Sequence, residues 1–210
     1  MKRLLLFSFL FLEFDAEAQK RFSEGILQYE VTTVLNKDTI ANGIRYSEMI
    51  KGGHYRADLV SSVAQTTTLF DAREESGAII RTFGANKILT PITRENWNEI
   101  NSKFINAVYQ VTEQQKEIMG HKCKLAKATL KDGSKLEVYF TPDISSDNPD
   151  LSIRFGQLPG LALEYASGTG TNRVTYTVVS ISYDPVPIQL FDIPNSGYRM
   201  LGYEDSKKIK

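Results

Sequence analysis

The sequence predicts a mainly β domain in which one amphipathic helix packs against a long, curled antiparallel sheet. Runs rich in Val, Ile, Thr, Tyr and Phe recur at short spacing, and each ends in Gly, Asn, Asp or Pro, the pattern of antiparallel strands. One stretch, beginning at Thr93, changes to apolar residues three and four positions apart, the period of a helix. Of the 210 residues, 41% are apolar, enough for a single buried core and too many for wholesale disorder.

Alternation places strands at about 23–35, 44–50, 54–60, 64–70, 77–83, 86–90, 107–113, 116–130, 134–141, 161–166 and 173–184. Several joints have a mechanism. Asp132-Gly133 separates two alternating runs, and such a pair supplies the positive φ values of a type I′ hairpin. Lys51-Gly52-Gly53, Gly84-Ala85-Asn86 and Gly168–Asn172 read the same way. The last has the look of a phosphate loop, but it lacks the following helix and the Lys-Ser/Thr pair, so it reads as a hairpin tip. In the helical stretch, Trp97, Ile100, Phe104 and Val108 form the apolar stripe, with Arg94, Glu95, Asn98, Glu99 and Lys103 between them and Thr93 placed to cap the first turn. This predicts a helix over about 94–106, whose stripe must bury itself on a sheet face.

Residues 1–18 read as a secretion signal: Met1-Lys2-Arg3, an apolar run from Leu4 to Leu12 broken by Ser8, then small residues at Ala16 and Ala18. Nine helical residues rise roughly 14 Å, about half the hydrocarbon thickness, so the run is too short for a membrane anchor. The alternative is a short apolar element that stays on the domain. Cleavage near Ala18 leaves Gln19 first, not the Cys that lipid attachment needs, and gives a single domain over 19–210 in the periplasm or outside the cell. Removing two basic and three acidic residues with the signal from 25 of each leaves 23 against 22. A charge near balance argues against nucleic acid as a partner.

The chemistry inventory is thin. The lone Cys123 makes no internal disulfide in an oxidising compartment and reads as a core thiol, sharing a strand face with Met119, His121 and Leu125. A Cys123–His121 nucleophile pair lacks an announced orienter and oxyanion donor. His54 and His121 lie in separate strands, and no ligand spacing marks a metal site. No nucleophile elbow, Ser-x-x-Lys or His-Glu-x-x-His is present. Asp143, Asp147 and Asp150 lie in a polar loop without the turn Gly and closing Glu of an EF-hand. Lys122, Lys124, Lys127, Lys131 and Lys135 read as a solvated outer face that discourages edge pairing, and Ser206–Lys210 as a fraying charged end. The expectation is therefore no catalytic residues, no metal and no cofactor.

Segments 22–29 (Phe-Ser-Glu-Gly-Ile-Leu-Gln-Tyr), 51–58, 120–126 and 137–144, then Gln157-Leu-Pro-Gly-Leu-Ala-Leu-Glu-Tyr165 and the tail Pro185–Tyr198, follow one another through most of the chain after residue 18. Together they resemble the GLPGLI family and related uncharacterised envelope domains with the fold of the lipoprotein carrier LolA; Gln157 departs from the naming motif at its first position. The resemblance implies a half-open antiparallel β-barrel closed on its concave side by helix, a form that in the carriers holds acyl chains, and it brings no catalytic residues.

An unfilled concavity would favour an acyl chain at about 0.8 kcal/mol per buried CH₂. The candidate liners are Trp97, Ile100, Phe104, Leu136, Val138, Phe140, Leu161 and Leu163, each of which reads equally as ordinary core. Pro159-Gly160, as the central pair of a type II turn, is the candidate gate. Three functions follow: a non-enzymatic protein sheltering lipid or lipoprotein acyl chains, an envelope module with a filled core that docks a protein partner, or a hydrolase using His121 with a loop carboxylate. The volume between helix and sheet decides between the first two.

Overall fold

The computed structural model describes residues 19–35, 38–146, 148, 154–169 and 172–209; residues 1–18, read above as a secretion signal, and the loop residues Asp147 and Asp150 lie outside them. The structure is mainly β and dominated by one large open sheet. After the short β1 (Lys20–Phe22) come β2 (Glu24–Leu35), β3 (Asp38–Lys51), β4 (His54–Val60), β5 (Ala64–Asp71), β6 (Ser76–Phe83) and β7 (Asn86–Thr93). Helix α1 (Arg94–Ile100) leads to β8 (Gln110–Ile118), β9 (His121–Thr129), β10 (Lys135–Thr141), β11 (Ile144–Ser146), β12 (Leu161–Thr169) and β13 (Asn172–Ser182). A 3₁₀ turn (Ile188–Phe191), β14 (Arg199–Met200) and the one-turn α2 (Tyr203–Ser206) complete the chain.

The twelve sheet strands lie in the order β14-β7-β6-β5-β4-β3-β2-β13-β12-β10-β9-β8, while β1 and β11 pair separately in parallel. Every neighbouring pair in the large sheet is antiparallel except β14 on β7. Strands β7 and β8 are consecutive in sequence yet stand ten strand spacings apart, roughly 48 Å in a flat sheet. The link between them, residues 94–109, is a seven-residue helix rising about 10 Å plus nine residues that reach at most about 30 Å when extended. Six of those nine are coiled in turns. The sheet therefore curls, and the link crosses its inner face.

Thr93 caps α1 as predicted: the Asn96 amide donates to Thr93 Oγ1, and the Thr93 amide donates to Asn96 Oδ1. The helix is shorter than the 94–106 that the apolar spacing predicts. It ends at Ile100, the chain turns through 101–106, and Asn106 takes φ 64°. The stripe is correspondingly uneven. Trp97 is 4% exposed and stacks on Phe70 with centroids 4.6 Å apart, whereas Ile100 is 39% exposed and Phe104 lies at the core margin.

Other joints also differ from expectation. The single strand predicted over 116–130 is two strands joined at Met119-Gly120, whose φ values of 53° and 78° make this the hairpin with positive φ at both central positions. At Asp132-Gly133 only Gly133 has positive φ; Asp132 instead accepts hydrogen bonds from the Ser134 amide and hydroxyl. Gly160 is not left-handed either, so it does not complete a type II turn. A Cβ there would lie 2.0 Å from the Thr141 carbonyl oxygen, and close backbone approach is what requires glycine. The Gly168–Asn172 segment does join a hairpin, with Thr169 opposite Asn172.

The C-terminal segment is docked rather than frayed. Tyr198 packs on the outer face against Leu69, Ala78, Ile80 and Leu89. The chain then pairs along β7 as β14, and Tyr203 reaches the main core. Ser206 is buried and Lys207 bridges Glu99 of α1 at 2.6 Å. The two sheet edges differ: β7 contains Pro91 and carries β14 only at Ile88 and Leu89, whereas β8 is interrupted by a bulge between Val111 and Gln115.

The unequal burial along α1 sets an expected outcome. Trp97→Ala should cost about 3–5 kcal/mol in denaturant unfolding, whereas Ile100→Ala should cost under about 1 kcal/mol; equal losses would contradict this packing.

Candidate functional site

The inner face of β2, β3 and β4 carries a charge. On β3, Tyr46, Glu48 and Ile50 alternate inward; Glu48 stands between Leu27 of β2 and Ala57 of β4, and the small Ala57 leaves room for it. Glu48 is 2% exposed. Its Oε1 accepts hydrogen bonds from Tyr46 at 2.7 Å, from Tyr55 at 2.8 Å and from the Arg154 guanidinium; its Oε2 accepts one from Tyr29 at 2.8 Å. Arg154 also donates to the Tyr55 hydroxyl at 2.9 Å, and its carbonyl accepts from Tyr109, so the segment starting at 154 is tied to the crossing link as well as to the sheet.

Aromatic rings enclose the pair. Tyr29 contacts Tyr46 and Tyr165, Tyr165 stacks on Tyr176 at 4.7 Å, and Phe155 lies 5.2 Å from Tyr165. Burial alone would raise the Glu48 pKa, but the Arg154 charge and the three tyrosine donors outweigh it and hold the carboxyl below its ordinary value. Burial, followed by the Glu48 charge, pushes the hydroxyls of Tyr29 and Tyr46 well above theirs. The cluster is thus a carboxylate, a guanidinium and neutral phenols, with no net charge.

Against it lies a cavity of about 260 Å³. Leu27, Phe155, Leu158, Pro159, Leu161 and Ala162 form its apolar wall, and Tyr29, Glu48, Gln19, Ser145 and Ser146 its polar side. A larger depression of about 840 Å³ follows β2, β3 and β4, where Gln28, Glu30, Arg45, Ser47 and Asp58 alternate with the apolar Val31, Ile44, Val60 and Val179.

Of the candidate liners only Leu161 borders the 260 Å³ cavity, together with both candidate gate residues, Pro159 and Gly160. Trp97, Leu136, Val138, Phe140 and Leu163 pack within the core. Gly160 abuts the Thr141 backbone, which pins that end of the turn.

His121 of the hydrolase expectation meets a loop carboxylate, Asp143, with Nδ1 at 3.4 Å, and the second histidine, His54, meets Asp71 with Nδ1 at 3.0 Å. Cys123 is fully buried; its thiol donates to the His121 carbonyl rather than the ring, and burial pushes its pKa up to about 11. Among the described residues no three His, Cys, Asp or Glu side chains group as metal ligands. None of the described helices is long and apolar enough to cross a membrane. Lys122, Lys124, Lys127, Lys131 and Lys135 are all exposed.

No family model and no curated protein matches the chain, so the GLPGLI resemblance rests on its motifs alone. Solved structures are similar in fold. One crystal form of PNGF-II aligns with a TM-score of 0.54 and 10% identity over 88% of this chain and 33% of that one. A second form gives 0.51 and 14% over 88% and 32%. The chain therefore spans about a third of the PNGF-II chain. MucB aligns with a TM-score of 0.44 and 10% identity over 86% of this chain and 60% of that one.

Two outcomes are expected. Glu48→Gln, which strands the Arg154 charge, should cost about 3–5 kcal/mol, while Glu48→Leu with Arg154→Met should cost less, because it removes both charges and leaves only the tyrosine hydroxyls without their acceptor, both read from urea unfolding. Because the folded Glu48 pKa lies below its ordinary 4.5, the pair stabilises fully above about pH 4.5 and loses this as pH falls through the lower folded value. Wild type should therefore lose stability faster than the double variant below about pH 4.5, and parallel pH profiles would refute the linkage.

Proposed function

We propose that this protein is an exported, non-catalytic binding domain that shelters one small apolar group in the cavity beside Phe155–Ala162. The observation that carries the reading is the apolar wall of Leu27, Phe155, Leu158, Pro159, Leu161 and Ala162 around unfilled space. Its volume of about 260 Å³ lies just below the roughly 300–1,000 Å³ of drug-sized ligand clefts. It suits a ring or a short aliphatic end, not a set of long acyl chains. Export rests on the segment 1–18, and the LolA-like resemblance supports an apolar cargo.

The absence of catalysis is part of the proposal. His121 beside Asp143 could polarise a water, yet it lies 30% exposed on the β9 side and does not border the cavity. A second reading, a module that docks an envelope protein, draws support from the burial of Trp97, Leu136, Val138, Phe140 and Leu163 in a filled core. In that case the fold is a scaffold and the cavity is incidental.

Fluorobenzene followed by fluorine NMR separates them. Saturable binding is expected in the wild type, with at least about a tenfold loss in Ser145→Phe, which fills the cavity from its half-buried rim. Absence of saturable binding, or equal binding by both proteins, would leave the docking module as the better reading.

A further inference from the structure

Resting on the reading of this cavity as a binding site, we propose that Glu48 is its polar anchor, and that the ligand is an uncharged small amphiphile bearing one O–H or N–H donor on an apolar body. The distribution of donors around the carboxylate points there. Oε1 takes three, from Tyr46, Tyr55 and Arg154, whereas Oε2 takes one, from Tyr29. A carboxylate oxygen offers about two acceptor positions. Oε2 therefore keeps one open.

The lining residues point to the cavity side for that position. Tyr29 and Glu48 both border the cavity, and the three donors to Oε1 do not. A ligand donor reaching Oε2 would meet an ionised acceptor already held in place by four hydrogen bonds, with little reorganisation to make.

Charge balance selects the ligand class. Glu48 is the only ionisable acid or base among the described lining residues, apart from the Tyr29 phenol, and Arg154 already neutralises it. A cationic ligand would bring a second positive charge against a buried carboxylate whose charge is already taken, and an anion would face that carboxylate directly; each is costly at the buried end of the cavity. A neutral hydroxyl or amide pays neither penalty. The apolar wall then covers the rest of the molecule.

The test compares p-cresol with toluene, two probes of one shape that differ by a hydroxyl, by calorimetric titration of the full chain from residue 19. A purely apolar cavity prefers toluene, since p-cresol would bury its hydroxyl unpaired. With Glu48 as anchor, p-cresol should bind about tenfold more tightly than toluene. Carbon NMR of protein with labelled glutamate should show the Glu48 carboxyl resonance moving with p-cresol and staying still with toluene. In Glu48→Leu with Arg154→Met the preference should reverse, and the carboxyl resonance keeps the proposal testable if that variant does not fold. Equal or tighter binding of toluene, or a p-cresol preference without movement of the Glu48 resonance, would overturn the anchor while leaving an apolar binding cavity in place. If neither probe binds, the binding-domain reading falls along with it.

Discussion

The link from β7 to β8 sets the shape of this molecule. Its sixteen residues, 94–109, join strands at opposite ends of the ladder, and a flat sheet would hold those ends farther apart than the link can reach. Curling brings the ends together and turns one face inward around the link itself. Trp97 sits where that crossing meets β4 and β5, stacked on Phe70 and edge-on to Tyr55 at 5.5 Å. The inner core follows from this closure, because residues as distant in the ladder as Ile92 and Ala126 belong to one apolar cluster. A right-handed twist would bend any long sheet; here the covalent tether fixes how far.

A core formed by wrapping must be filled from within, and the chain does so with two segments, the crossing link and the stretch from Arg154 to Gly160. Tyr109 and Arg154 fasten them to each other, and Glu48 fastens Arg154 to the sheet. A buried ion pair adds little net stability compared with a well-packed apolar substitute. Its effect is directional: it fixes where the 154–160 segment lies over β3, and the space left beside that segment is the cavity. Tyrosines suit the surround because each supplies ring surface for packing and a hydroxyl for the carboxylate.

Much of the fold was legible in the sequence, because period-two alternation and turn residues are local signals. The runs at 54–60, 64–70 and 77–83 agree with β4, β5 and β6 to within a residue. The misread joints share one cause. Met119 is apolar in a strand-like run, and only the neighbouring Gly120 hinted at the turn; the helical spacing continued past Ile100 because residues in successive turns can mimic it. The site was less legible. Glu48 had a readable signal, a charge at the inward position between Tyr46 and Ile50. Arg154 had none, since its partner lies 106 residues away and only the closure of the sheet brings them together. Of the nominated liners, Trp97, Leu136, Val138, Phe140, Leu161 and Leu163 are buried while Ile100 is exposed; alternation reports which way a side chain points and carries no information about whether space remains in front of it.

The two ends of the ladder have a consequence for how this chain meets copies of itself. An open sheet offers two rims of unused amide and carbonyl groups, each able to recruit a neighbouring chain into a growing stack. Pro91 removes a donor from one rim, and the returning C-terminal tail occupies the adjacent stretch at Ile88 and Leu89. The bulge from Val111 to Gln115 breaks the spacing along the other. Neither rim presents a long unbroken template, so a fold that stays open for its own architecture is guarded against fibre-like self-assembly.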